Sequence, residues 1–253
     1  MKTDYILAIS GSDILSGGGM QADLATFNRH QLFGFVALTS IATVTDDGFE
    51  VNDLERPLFQ SQLQSLKGIP FAAIKIGLLP NPDLAEVSLA FIKNYQDIPI
   101  VLDPVLIFKE NQDGTIGEMA ETLLSFLPYV SLITPNLREA EILSGKTITN
   151  LKDMRRAAER LHRLGADKLV IKGGARLDKH QAIDLFYDGS EAVYLKKPLL
   201  HRNNNGAGCT FAASIASAMA KGQTALEAVK AAKIDVYRAI HNSNQYGVKQ
   251  NDH

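Results

Sequence analysis

The chain has 253 residues, 45% of them hydrophobic and 21% charged, which is typical of a globular protein large enough to bury a sizeable core. Its net charge of −2 excludes the strongly basic surface that nucleic acids or anionic membranes attract. A single cysteine excludes an internal disulfide framework, and neither a signal peptide nor a membrane-spanning run is visible, so we expect a cytoplasmic protein.

Short runs rich in isoleucine, valine and leucine alternate with helical patterns along the chain. The runs predicted as strands are Tyr5–Ser10, Phe35–Val44, Ala73–Ile76, Ile98–Asp103, Leu132–Thr134 and Leu169–Lys172. The predicted helices are Gly19–Gln31, Pro57–Leu66, Pro82–Tyr95, Thr115–Leu127, Leu137–Leu143, Leu151–Leu164, Gly208–Ala220 and Thr224–His241. A hairpin is predicted where Asp188-Gly189 joins Ala182–Tyr187 to Ala192–Leu195.

This alternation predicts a single α/β domain over residues 1–253, with a mostly parallel central sheet and helices on both faces. The polar tail, residues 242–253, is expected to fray. In sheets of this kind, ligands bind beyond the carboxyl ends of the strands. The motifs that follow the predicted strands are therefore the candidates for a functional site.

The first strand leads into a serine- and glycine-rich loop, Ser10–Gly19, and then into a helix whose first turn holds Asp23. This pattern fits a flexible loop that could serve a site, and it also fits a solvated loop before a helix that favours an acid. The chain contains neither the dinucleotide fingerprint GxGxxG at this point nor a GxxxxGK[ST] phosphate loop.

Three later strands each end in a short polar motif. Asp103 could orient a hydrated Mg²⁺ ion, or it could simply end its strand. Asn136 and Glu139 have the spacing of a helix capping box. Lys172, beside Gly173 and Gly174, could hold a phosphate, or it could be a lysine before a turn.

The segment Gly206–Cys209 opens a small, alanine-rich helix, and its glycines allow the backbone to approach a ligand closely. The free amides of a helix start form an anion site. The same position is expected to lower the pKa of the Cys209 thiol. The alternative is a structural helix start with a small buried cysteine.

Taken together, these motifs predict phosphoryl transfer, in which the protein mainly positions the reactants and neutralises charge. The motifs are Ser16–Asp23, Lys75–Gly77, Asp103–Val105, Thr134–Ala140, Lys172–Gly174 and Gly206–Thr210. Their combination resembles the ribokinase superfamily over essentially the whole chain. It is most similar to the branch of hydroxymethylpyrimidine (phosphate) kinases and of the pyridoxal kinases of Gram-positive bacteria.

The resemblance implies an ATP-dependent kinase that acts on a hydroxymethyl group of a small aromatic heterocycle. The amides of Gly206, Ala207, Gly208 and Cys209 would stabilise the transferring phosphate. Cys209 stands where sugar kinases of the superfamily have an aspartate base, so it would accept the hydroxyl proton or add reversibly to the aldehyde of pyridoxal.

The resemblance also implies a set of ligand contacts. Contacts to ATP are implied for Asn136, Lys172, Gly173, Gly174, Asp184 and Gly208. Mg²⁺ would be held, through water, by Asp103 and Glu139. Contacts to the substrate are implied for Ser12, Asp13, Gly19, Met20, Asp23, Val44, Phe108 and Cys209. A homodimer is implied as well, and a requirement for a monovalent cation is left open.

The choice of substrate depends on a few positions. Val44 stands where the pyrimidine kinases have a glutamine that reads the pyrimidine edge, which favours pyridoxal, pyridoxine and pyridoxamine as substrates. The chain departs from the pyridoxal kinases in having Phe108 at the position of a second, lid cysteine and Asn205 in place of a histidine, and it lacks their C-terminal glycine-proline segment. The alternatives are a hydroxymethylpyrimidine (phosphate) kinase, a dual-specificity kinase, or a catalytically silent protein that senses a vitamer.

Overall fold

The computed structural model describes residues 4–46, 48–106 and 113–250 of the chain. Nine strands are found in this part of the chain: β1 (Tyr5–Asp13), β2 (Phe33–Thr45), β3 (Gly48–Asp53), β4 (Ala73–Ile76), β5 (Ile100–Leu102), β6 (Leu132–Ile133), β7 (Leu169–Ile171), β8 (Gln181–Tyr187) and β9 (Ala192–Pro198). The α-helices are α1 (Gly19–Arg29), α2 (Arg56–Ser65), α3 (Pro82–Ile92), α4 (Asp113–Leu124), α5 (Leu137–Ser144), α6 (Leu151–Arg163), α7 (Ala207–Ala220) and α8 (Ala225–His241).

The strands form one sheet in the order β3-β2-β1-β4-β5-β6-β7-β8-β9. Within the run β2-β1-β4-β5-β6-β7, each strand is parallel to its neighbours in the run. At one edge β3 pairs antiparallel with β2, and at the other edge β8 and β9 extend the sheet as an antiparallel hairpin. The predicted single α/β domain with a mostly parallel sheet is therefore confirmed.

Helices cover both faces of the sheet, because successive side chains of a buried strand point to opposite faces. In β1, Leu7 and Ile9 pack into a core shared with helices α2 to α6, while Ile6 and Ala8 pack into a second core with α1, α7 and α8. Helix α7 is buried along most of its length because its alanines and serines present little bulk. The N-terminus of α7 lies at the carboxyl edge of the sheet, next to the residues that follow β5 and β7.

Two features of the fold differ from the sequence expectations. Strand β3 was not predicted, since Gly48–Asp53 lacks a strong apolar alternation and lies, partly exposed, against β2. Within the tail that was expected to fray, Val248 is only 5% exposed and its N–H donates to Asn205 O, whereas residues 244–246 are exposed. Among the described residues, none of the helices combines the length and apolarity needed to cross a bilayer.

Candidate active site

The carboxyl edge of the parallel strands brings together the motifs that follow β5, β6 and β7. Residues Asn136 and Lys172 pair in a short parallel bridge beyond the ends of their strands. The Lys172 N–H donates to Pro135 O over 2.8 Å, and the Asp103 N–H donates to Ile76 O over 2.8 Å. Each polar side chain is thereby held by backbone bonds that continue the sheet.

Lys172 and Asp103 form the central ion pair of this edge. Their Nζ and Oδ1 atoms are 2.7 Å apart, and Thr134 Oγ1 donates to the same oxygen over 2.9 Å. Burial by itself would raise the pKa of Asp103, but the charges of Lys172 and Lys75 outweigh it and hold the pKa below its ordinary value. The Asp103 carboxylate is therefore ionised, and the Lys172 side chain, 18% exposed, retains an open side.

Glu139 and Asn136 form the predicted capping box at the start of α5. The Asn136 N–H donates to Glu139 Oε2 over 2.7 Å, and the Glu139 N–H donates to Asn136 Oδ1 over 3.0 Å. Burial raises the pKa of Glu139 to about 7, and the charge of Lys172 only partly offsets that increase. Glu139 is thus both a helix cap and an acid poised near neutrality.

A cleft of about 530 Å³ opens beside these residues, between the β8–β9 hairpin and α8. It is lined by seven of the residues that the sequence suggested for the nucleotide and phosphate: Asn136, Lys172, Gly173, Gly174, Asp184, Ala207 and Gly208. Apolar residues also line it, among them Leu200, Val236 and Tyr237. A lining of charged and apolar groups suits a phosphorylated ligand with a flat base.

Asp184 is a support for the cleft wall, because both of its carboxylate oxygens bond to the protein. Oδ1 accepts the Gly173 N–H over 3.0 Å, and Oδ2 accepts from Lys233 Nζ over 2.6 Å. A side chain on Gly173 would meet Ile183 O at 1.9 Å, so this turn requires glycine. Lys233, a residue that sequence reasoning missed, lines the cleft and also donates to Ala182 O over 3.2 Å.

The glycine-rich start of α7 lies across the cleft from Lys172. Gly206 is the N-cap and adopts φ +83°, a left-handed conformation that favours glycine. A Cβ atom on Gly208 would lie 3.3 Å from Lys172 Nζ and 3.6 Å from Asp103 Oδ2. The start of α7 therefore lies beside the lysine ammonium, as an anion site requires, although the Ala207 N–H itself donates to Asn204 O over 3.0 Å.

Cys209 occupies the first turn of α7, but its thiol does not have the lowered pKa that we expected. Burial raises the pKa of Cys209, and the carboxylates of Asp23 and Asp103 add to that increase. The charge of Lys75 and the N–H of Gly19 act in the opposite direction without reversing it. The expectation was wrong because desolvation disfavours a thiolate more than the helix start stabilises it.

On the acceptor side, the loop between β1 and α1 is folded around Asp13. Its carboxylate accepts the Leu15 N–H over 3.0 Å and the Gly18 N–H over 2.8 Å. Ser12 Oγ accepts from Gln21 Nε2 over 2.9 Å. Gly19 begins α1 with φ +58°, where a Cβ atom would lie 2.4 Å from Gly11 O. Asp13 shapes this loop, and its bonds to the backbone leave the carboxylate a structural task.

Asp23 lies beneath this loop in a fully buried ion pair with Lys75, 2.8 Å from Oδ2 to Nζ. Burial by itself would lower the pKa of Lys75, but the carboxylates of Asp23 and Asp103 outweigh it and raise that pKa. Although Lys75 stood in a recognised motif, sequence reasoning gave it no role. A lysine inside the otherwise apolar run Ala73–Ile76 was the signal that could have revealed it.

Three further residues proposed for the substrate are less constrained by the structure. Met20 is the second residue of α1 and is partly buried. Val44 lies near the end of β2, opposite Phe49 of β3, and is 54% exposed. Phe108 lies outside the described residues. The roles of these residues remain predictions.

The fold defines a ribokinase-like α/β protein, and the edge at the carboxyl ends of its strands is a candidate phosphate site. The family model described as phosphomethylpyrimidine kinase matches residues 13–252, and the chain belongs to this family.

Individual relatives cover nearly the whole chain. The pyridoxine kinase of Bacillus subtilis is 38% identical over 256 residues, 97% of this chain and 94% of the relative. The hydroxymethylpyrimidine/phosphomethylpyrimidine kinase of the same organism is 34% identical over 241 residues, 94% of this chain and 89% of the relative. The solved pyridoxal kinase of Staphylococcus aureus, in complex with AMP-PCP and pyridoxal, has a TM-score of 0.88 and 36% identity, covering 99% of this chain and 91% of its own. The sequence resemblance is confirmed.

Proposed function

We propose that this protein is an ATP-dependent pyridoxal kinase that phosphorylates the 5′-hydroxymethyl group of pyridoxal, pyridoxine and pyridoxamine. The observation that carries the proposal is that the glycine-rich start of α7 lies beside Lys172, since a Cβ atom on Gly208 would lie 3.3 Å from Lys172 Nζ. The named activities of the relatives support it. ATP, the donor in this proposal, is a cytoplasmic metabolite, which supports a cytoplasmic location.

In the reaction, the acceptor oxygen forms a bond to the γ-phosphorus, and the bond from that phosphorus to the β–γ bridging oxygen breaks. Negative charge accumulates on the leaving ADP and on the transferring group. Lys172 and the N–H groups of Gly206, Gly208 and Cys209 neutralise this charge from fixed positions, so little reorganisation is needed during the reaction. The N–H of Ala207, which the sequence also suggested, already donates to Asn204 O. Asn136 and Gly174 hold the nucleotide phosphates. Gly173, whose N–H donates to Asp184, is proposed to contact the nucleotide only by lining the cleft, and Lys233 and Asp184 hold the turn that carries the two glycines.

The donor set at Asp103 and Glu139 fits a Mg²⁺ ion. Mg²⁺ prefers one or two carboxylates, with water and phosphate oxygens completing its shell. Asp103 Oδ1 is taken by Lys172 and Thr134, which supports a metal held through water. Among the described residues, no group of three or more metal-binding side chains is found. The bound ion would draw negative charge from the phosphates.

Cys209 is proposed to take the proton of the acceptor hydroxyl. Because burial raises the pKa of this thiol, the thiolate is the minor form near neutrality. Turnover limited by this base should therefore increase with pH into the range where an ordinary thiol has already ionised. The variant Cys209→Ala should reduce kcat by about 10²–10⁴ and abolish that increase while retaining ATP binding. Near-normal turnover by the variant would rule out the base role.

The second candidate function is a hydroxymethylpyrimidine (phosphate) kinase. A dual-specificity kinase, which accepts both kinds of substrate, is a variant of this candidate. The 34% identical relative favours it, whereas the side chain of Val44 cannot hydrogen-bond to a pyrimidine. A homodimer is also proposed, and the exposed apolar side chain of Ile41 on β2 supports an interface on that strand. Light scattering of the purified protein tests the oligomeric state.

The experiment that tests the substrate is a comparison of pyridoxal, pyridoxine, pyridoxamine and hydroxymethylpyrimidine with ATP under the same conditions. We expect kcat/KM to favour pyridoxal over hydroxymethylpyrimidine by at least about tenfold, or about 1.4 kcal/mol. Val44→Gln should narrow that preference. An equal or reversed ratio in the wild type would support the second candidate, and no turnover of any vitamer would support a silent binding protein.

A further inference from the structure

Three segments that are far apart in sequence meet at one point beside Cys209. A Cβ atom on Gly206 would lie 1.5 Å from Gly17 O, and one on Gly247 would lie 2.6 Å from Gly17 Cα. A Cβ atom on Gly17 would lie 2.4 Å from Asn205 Nδ2. We call Gly17, Gly206 and Gly247 the glycine junction. Its three backbones are in direct contact, which leaves no room for a side chain.

Hydrogen bonds hold the C-terminal segment, residues 244–250, against this junction. Asn205 Nδ2 donates to Tyr246 O over 3.1 Å, and the Val248 N–H donates to Asn205 O over 3.0 Å. Gln250 Nε2 donates to Thr210 Oγ1 over 3.0 Å, one residue beyond Cys209. The Lys249 N–H donates to Ala239 O over 3.1 Å, which ties the segment to α8.

The junction connects the two sides of the reaction. Gly17 and Gly18 belong to the acceptor loop, whereas Gly206 caps the helix that binds the transferring phosphate. A Cβ atom on Gly18 would lie 3.6 Å from Gly206 Cα and 3.8 Å from Cys209 Sγ. A displacement at the junction therefore changes the spacing between the acceptor loop and the phosphate site.

We propose that residues 244–250 are a positioning element for phosphoryl transfer, which sets this spacing through Asn205 and the glycine junction. The inference rests on the proposed kinase function. Asn205 and Gly247 are positioning residues, since they touch the loops that hold the reactants. A misplacement of about 1 Å between reacting groups can cost about 10²-fold in rate, so a modest shift at the junction has a large effect.

The test compares Gly247→Ala and Asn205→Ala with the control Gly117→Ala. Gly247 and Gly117 both lack a positive φ, but a Cβ atom on Gly117 would meet nothing within 4 Å. The readouts are kcat and KM for ATP and pyridoxal, the melting temperature, and the rate at which iodoacetamide labels Cys209. Because Cys209 is the only cysteine of the chain, labelling reports on this site directly.

We expect Gly247→Ala to lower kcat by about 10- to 100-fold, with the KM for ATP within about twofold of the wild-type value. Labelling of Cys209 should accelerate by at least about threefold, since the acceptor loop that covers the thiol is displaced. Asn205→Ala should show the same pattern more weakly, and Gly117→Ala should behave as the wild type.

A kcat within about twofold of the wild type for both junction variants would overturn the inference. So would a loss of kcat that only follows a proportional loss of folded protein in both of them. If the wild type itself fails to phosphorylate any vitamer, the proposed function fails, and phosphoryl transfer with it. The labelling rates then decide whether residues 244–250 set the spacing around Cys209: acceleration supports this part of the inference, and unchanged rates overturn it.

Discussion

Two lysine–aspartate pairs lie on the two sides of the candidate site, and they have nearly equal lengths. Lys172 and Asp103 are 2.7 Å apart on the nucleotide side, and Lys75 and Asp23 are 2.8 Å apart beneath the acceptor loop. The Lys172 side chain is 18% exposed, while both side chains of the second pair are fully buried. The ion pair on the nucleotide side is thus accessible to a ligand, whereas the ion pair beneath the acceptor loop is not.

The difference shows that distance alone does not assign a function to an ion pair. A sealed pair has lost its hydration on both partners, so removing one of them leaves a charge that no water can reach. An open pair can exchange partners with an incoming phosphate, because its lysine keeps free N–H donors facing the cleft. We therefore expect Lys75 to matter mainly for stability and Lys172 mainly for turnover.

The largest expected effect is the loss of stability in Lys75→Met. Removing one partner of a buried pair typically costs about 3–5 kcal/mol, here because Asp23 would be left buried without its partner and would have to take up a proton. Denaturant unfolding measures this free energy. The double variant Asp23→Leu, Lys75→Met should recover much of it, since an apolar pair of similar volume is often tolerated. Equal stability of Lys75→Met and the wild type would contradict the structural role of the buried pair.

The next effect concerns Lys172→Met. Removal of this ammonium should lower kcat by about 10²–10³, the typical cost of one lost donor to a developing charge. The free energy of unfolding should fall by less than in Lys75→Met, because Thr134 still donates to Asp103 and water can enter the cleft. Steady-state kinetics and denaturant unfolding of the two methionine variants, side by side, separate the two roles. If Lys75→Met lowered kcat as much as Lys172→Met does, without loss of folded protein, the two lysines would not have separate roles.

The smallest effect sharpens the description of the open side, where Glu139 lies near Lys172. The pKa of Glu139 is raised to about 7 in the folded protein, above its ordinary value of 4.5 in the unfolded chain. The native state consequently holds the proton more tightly, so the stability that this group contributes at low pH is lost as the pH rises from about 4.5 to about 7.

Glu139→Gln imitates the neutral acid and removes this pH dependence. Between about pH 5.5 and about pH 8, the stability of the wild type relative to Glu139→Gln should fall by about 2 kcal/mol. Denaturant unfolding at both pH values, without nucleotide or Mg²⁺, gives the difference directly. A difference that stays constant with pH would show that Glu139 titrates normally and that the site is wetter than its burial indicates.

Local patterns were enough to predict most of the elements and the rim of the site. The buried apolar runs, the capping box at Asn136 and the Asp-Gly hairpin are encoded by neighbouring residues, so they could be identified without knowledge of the fold. The strand ends then had to meet at one edge, because the carboxyl ends of parallel strands lie together. That rule placed Lys172, Asp103 and Asn136 in one site.

Tertiary structure alone decided what surrounds each of these groups. Desolvation depends on everything packed around a side chain, which is why the pKa of Cys209 is raised although its position at a helix start suggested the opposite. The partners Lys75 and Lys233 come from a buried strand and from the last helix, far in sequence from Asp23 and Asp184. The C-terminal segment, residues 244–250, is likewise held by contacts with residues that are distant in sequence. Its polar residues find partners around Asn205 that no local pattern could reveal, because hydrogen bonds between distant segments exist only once the chain has folded.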